Sequence, residues 1–64
     1  MDINTLLAVI QHLESRKELY IKRCDQYKIY SYDHYAYDVK IEEVLSEINY
    51  LTGIVDSIRE ENKS

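Results

Sequence analysis

Proline, tryptophan and phenylalanine are absent from this chain, alanine occurs twice, and glycine, cysteine and methionine occur once each. A single cysteine, Cys24, excludes a disulfide framework. With only His12 and His34 beside it, a zinc site of the usual Cys/His spacing cannot be assembled. No long apolar run exists either. The longest aliphatic stretch, Leu6 to Ile10, falls far short of the roughly 20 residues a membrane-spanning helix needs. No membrane partner is therefore expected. A secretory signal is not expected, because Asp2 stands where a basic region would belong and no small-residue cleavage site follows. A lone thiol suits a reducing compartment, so the expected location is cytoplasmic.

Catalytic machinery is missing as well. There is no glycine-rich phosphate loop and no nucleophile with an identifiable base. Sixty-four residues are too few to wall off a water-excluding pocket. No catalytic residue and no cofactor are expected. At this length the chain is one domain at most, and such a monomer buries only roughly 60% of its unfolded surface. With disulfide and zinc set aside, oligomerisation is the remaining source of extra stability.

What is present is periodicity. Ile3, Leu6, Ile10, Leu13, Lys17, Tyr20, Cys24 and Tyr27 step alternately by three and four residues, which is heptad a/d spacing with one polar intruder. Ile41, Val44, Ile48, Leu51, Val55 and Ile58 do the same without one. The spacing predicts an all-α fold: helices over about 3–29 and 34–61, joined by a tyrosine-rich turn at about 30–34 into an antiparallel hairpin over residues 1–64. Asp2 or Asn4 can cap the first helix, and Ser31 or Asp33 the second. Gly53 falls at an outer position, and because the heptad resumes in phase at Val55 a continuous helix is expected there rather than a cap.

The apolar stripe is wider than a two-helix seam requires. Leu7, Val9, Ile21, Leu45 and Ile54 lie beside it at e and g positions, the width of a bundle helix rather than a coiled-coil strand. Two hairpins packed as a homodimeric four-helix bundle would cover this second row. The expected dimer and core residues are Ile3, Leu6, Leu7, Ile10, Leu13, Tyr20, Cys24, Ile41, Val44, Leu45, Ile48, Leu51, Val55 and Ile58. Lys17 is expected to pack by its stem and to specify register. Cys24 is expected to be an inert, buried, small hydrophobe.

Charge is divided between the halves. Residues 1–32 carry five bases against four acids, net +1, and residues 33–64 carry three bases against eight acids, net −5, giving the overall −4. A turn near 31–34 would set Lys22 and Arg23 level with Glu42 and Glu43, favouring antiparallel pairing.

Five of the seven tyrosines lie between Tyr27 and Tyr37. Tyr20, Tyr27 and Tyr37 fall on d positions and belong to the seam, their hydroxyls reaching its edge. Tyr30, Tyr32 and Tyr35 fall off it, at or beside the turn. They either close the bundle end or, as rigid aromatics on a small scaffold, anchor a partner. A β-hairpin from Tyr30 to Tyr37 is a weaker option, because Asp33-His34 is a poor two-residue turn. Asp38, Glu42, Glu43 and Glu47 form an acidic ridge beside the turn. It can be a solvated face answering the basic first helix, a surface that orients a partner, or an imitation of nucleic-acid phosphates. His34 and Asp38, spaced i,i+4, could with Glu42 offer a divalent-metal face. The Glu-x-x-His bundle motif is absent, however, and no metal site is expected. Direct nucleic-acid binding is opposed by the acidic balance, since glutamates interleave the basic residues of the first helix.

The function expected from these residues is non-catalytic binding of an unidentified protein target by a small regulator or inhibitor. Tyr30, Tyr32 and Tyr35 would anchor the contact, and Asp38, Glu42 and Glu43 would orient it. Richness in Ile, Lys and Tyr is the bias of AT-rich genomes, including those of phages and mobile elements. Alternatives are a self-associating assembly protein and an acidic nucleic-acid mimic occupying a basic groove.

Overall fold

The computed structural model describes residues 2–63, and for Lys63 the backbone alone. It contains two helices, α1 (Ile3–Cys24) and α2 (Tyr32–Lys63), packed antiparallel as a hairpin with no strand among the described residues. The molecule is a rod of 50 × 15 × 14 Å. At 1.5 Å per residue α1 is about 33 Å long and α2 about 48 Å, so α2 alone spans the rod's length.

The start signals are used as their chemistry dictates. Asp2 caps α1: its carboxylate Oδ1 accepts from the Thr5 backbone N–H at 2.8 Å. That bond is the main cause holding the Asp2 carboxyl below its ordinary pKa. Ser31 caps α2, its hydroxyl oxygen accepting from the His34 backbone N–H at 3.2 Å. Lys22 and Arg23 in the last turn of α1 and Asp33 in the first turn of α2 each complement the helix dipole at their end.

The first helix stops five residues earlier than the expected 29. After Cys24 the backbone tightens into successive three-residue bonds, with Gln26 N–H donating to Arg23 C=O and Tyr27 N–H to Cys24 C=O, both at 3.1 Å. Ser31 N–H then donates to Lys28 C=O at 3.0 Å. Between these bonds Tyr30 adopts φ 76°, the single positive-φ residue other than glycine among those described. A chain with no glycine nearby has had to place a tyrosine in the left-handed region, where a β-carbon costs roughly 1–2 kcal/mol.

This earlier turn shifts the pairing. Cys24 lies level with His34 and Asp38 rather than with Ile41. Among the described residues Lys22 and Arg23 form no ion pair with Glu42 or Glu43. Cross-helix ion pairing at those positions is therefore not what holds the hairpin together.

Apolar burial holds it. Leu6, Leu13, Cys24, Val44, Ile48 and Val55 are buried, every one an a or d position, and Val55 is only 2% exposed. Leu13, Val44 and Ile48 form the central cluster, with Ile10, Tyr20 and Leu51 packed against it. Ile3, Ile41 and Ile58 are half-buried. Leu7 and Leu45, expected in the dimer or core, stay 38% and 39% exposed. They occupy e positions, and the seam of a single pair of helices is too narrow to reach them. α2 runs unbroken through Gly53, whose missing side chain would meet nothing within 4 Å.

Lys17, the polar intruder, lies half-buried on the seam and turns its ammonium to Glu14 Oε2 at 2.8 Å, with Glu18 Oε1 at 4.0 Å. The Glu14 bond raises its pKa above the ordinary lysine value. The charge is answered within α1 and does not reach across to α2.

Candidate functional site

The tyrosines divide along the register. Tyr37 stacks on Tyr27 with ring centroids 5.8 Å apart and meets Tyr20 at 6.1 Å in a tilted arrangement. Lys40 Nζ lies 5.7 Å above the Tyr20 ring and 5.4 Å above that of Tyr37. Arg16 donates through Nη2 to the Tyr20 hydroxyl at 2.8 Å. These three tyrosines form an aromatic ladder that runs from the seam into the turn: Tyr20 and Tyr37 are half-buried between the helices, whereas Tyr27, expected on the seam, lies beyond the end of α1 and is 40% exposed.

Tyr30, Tyr32 and Tyr35 stand outside it, exposed by 100%, 81% and 66% of their surface. Packing does not account for that exposure: the hairpin leaves them in solvent and does not use them to close its end. With Ile29, Ser31, His34 and Asp38 they line an open groove of about 560 Å³ at the tip. Ile29 was not among the expected site residues, though it is 68% exposed. Its signal lay in the heptad, because two residues past the d position of Tyr27 is an outward position that normally carries a polar side chain.

The acidic candidates separate. Asp38 joins the tyrosine groove. Glu43 instead lines a second cleft between the helices with Arg16, Tyr20, Lys40 and Glu47. Glu42 lines neither. All three are exposed, but only Asp38 shares a concave surface with the tyrosines.

At the inner wall of the groove the fold assembles a group that no stretch of sequence contains. The Cys24 thiol donates to the His34 backbone carbonyl at 3.6 Å and lies 3.9 Å from Asp38 Oδ1. His34 Nδ1 is 3.6 Å from Asp38 Oδ2. One ligand-type atom from each of Cys24, His34 and Asp38 lies within 4.8 Å of the others. Burial, then the charges of Asp38 and Asp25, push the thiol pKa above its usual value, so at neutral pH Cys24 is a protonated, unreactive thiol. Glu42, the third member of the face considered from sequence, is not in this group.

Among the described residues no helix is long and apolar enough to cross a membrane. No protein family, curated protein or solved structure matches the chain.

Proposed function

We propose that this protein is a non-catalytic protein-binding module, a small cytoplasmic regulator or inhibitor of another protein, which engages its target through the tyrosine tip of the hairpin. One observation carries the proposal: Tyr30, Tyr32, Tyr35 and Ile29 are displayed around a groove although the fold needs none of them buried. Aromatic rings offer large contact area for few rotatable bonds, and exposed apolar groups clustered around a concavity mark interaction surfaces. Tyr30 adds backbone strain to exposure, a combination that concentrates at functional positions. Asp38 at the groove and Glu42 and Glu43 beyond it would govern orientation and association rate more than affinity.

The test replaces Tyr30, Tyr32 and Tyr35 together by serine. The variant is expected to keep its helical circular dichroism and to lose a partner that the wild type captures from host lysate. Equal capture by both proteins defeats the proposal.

The hairpin's own partner is a second copy. Leu7, Val9 and Leu45 flank the seam and remain more than a third exposed, which supports burial of both flanks in a homodimeric four-helix bundle. Sedimentation across a concentration series should give a discrete dimer. Leu45→Glu should shift it toward monomer without removing the buried a/d seam. Open-ended growth would favour the assembly role instead.

A further inference from the structure

We propose that Cys24, His34 and Asp38 form a binding site for one zinc-class divalent cation per chain, holding the end of α1 to the first two turns of α2. The proposal stands independently of any protein partner.

The geometry is the first argument. The three ligand atoms come from both helices and lie within 4.8 Å of one another, and the Cys24 Sγ to Asp38 Oδ1 and His34 Nδ1 to Asp38 Oδ2 separations are 3.9 and 3.6 Å. Zinc bonds of about 2.0–2.3 Å in tetrahedral arrangement place neighbouring ligand atoms about 3.5 Å apart. Closing onto a cation therefore asks for side-chain movements of about 1 Å, within reach of small χ adjustments.

The donor set is the second. Thiolate sulfur, imidazole nitrogen and carboxylate oxygen together suit a borderline-soft ion such as Zn²⁺, whereas Mg²⁺ and Ca²⁺ require oxygen throughout; the Cys24 thiol, protonated in the free protein, gives its proton to solvent as the ion binds. With three protein ligands the fourth position is left for water, the pattern of an open site rather than a closed structural one.

Placement is the third. His34 and Asp38 are one turn apart on α2 and so share a face, and Cys24 is fixed by the end of α1. His34 and Asp38 also line the tip groove, which gives an ion a route to the buried sulfur. A domain of this size gains stability from any such clamp, since ion binding to the folded state alone stabilises it by mass action.

The experiment uses reduced, chelator-stripped full-length protein. Zn²⁺ titration is expected to raise the thermal midpoint saturably, with one ion per chain. Co²⁺ is expected to give a thiolate-to-metal charge-transfer band in the near ultraviolet. Asp38→Asn and His34→Gln alter partly exposed groups and should leave the hairpin folded. Each should weaken Zn²⁺ binding about tenfold or more, as even outer-shell changes do. Cys24→Ser should abolish the Co²⁺ band, and His12→Ala should change nothing. Absence of a saturable shift, a Co²⁺ spectrum without the sulfur band, or undiminished binding in Asp38→Asn and His34→Gln each overturns the proposal.

Discussion

The Cys24 thiol donates to the backbone carbonyl of His34 at 3.6 Å, joining the last residue of α1 to the first turn of α2. Cys24 is also buried. In the native, metal-free protein at neutral pH, a thiol reagent should therefore modify it far more slowly than in the urea-unfolded chain. Burial both restricts access and raises the thiol pKa. Equal rates in the two states would show that the end of α1 does not stay closed.

Tyr30→Gly should stabilise the hairpin by up to about 1 kcal/mol. It relieves the left-handed strain of a β-carbon, partly offset by the greater freedom of glycine in the unfolded chain. No packing is lost, because Tyr30 is fully exposed. Urea unfolding checks this by a higher midpoint at unchanged slope. The same variant should bind the protein target less well, so stability and binding move in opposite directions.

Gly53→Ala should stabilise by about 1 kcal/mol, the difference in helix propensity between the two residues. An added methyl at Gly53 meets nothing within 4 Å. Thermal unfolding followed by circular dichroism measures it. A destabilised variant would indicate that a second copy packs against this outer face.

Leu13→Ala, in the central cluster, should cost about 2–5 kcal/mol, enough to unfold much of so small a protein at room temperature. Leu45→Ala, at an exposed flank, should cost markedly less when measured below the dimerisation concentration. The contrast in circular dichroism between the two variants reads out the width of the hairpin's own core.

Acid should loosen the start of α1. The Asp2 carboxyl has its pKa lowered on folding by the Thr5 amide. Its contribution is therefore complete above the ordinary carboxylate value and is lost as pH falls through the lower folded one. Asp2→Asn keeps an acceptor for the Thr5 amide and should remove that part of the pH dependence. Amide exchange at Thr5, compared between wild type and Asp2→Asn as pH falls, locates the effect.

Helix type and most of the core were legible in the sequence because side-chain spacing reports them directly, whereas antiparallel pairing was supported there by a match of Lys22 and Arg23 with Glu42 and Glu43 that the fold does not make. Leu6, Leu13, Val44, Ile48 and Val55 are buried because three- and four-residue steps return them to one side of a helix. The outward placement of Tyr30, Tyr32 and Tyr35 was legible by the same rule. The end of α1 was not. Tyr27 continues the d series, so nothing in the spacing distinguishes an eighth seam position on the helix from a residue that folds back beside it in the loop and stacks on Tyr37. The level of Lys22 and Arg23 against α2 depended on that boundary and moved with it.

By itself the sequence determined two amphipathic helices, a pair of candidate caps for each (Asp2 or Asn4, Ser31 or Asp33), and the separation of Tyr20 and Tyr37 on the seam from the outward Tyr30, Tyr32 and Tyr35. Each of these depends on residues within a few positions of one another. Tertiary structure alone decided the turn at residues 25–31, with the strained Tyr30, and the meeting of Cys24 with His34 and Asp38. Those depend on how far one helix slides past the other. That sliding is set by the summed burial of many side chains, and no single spacing in the chain records it.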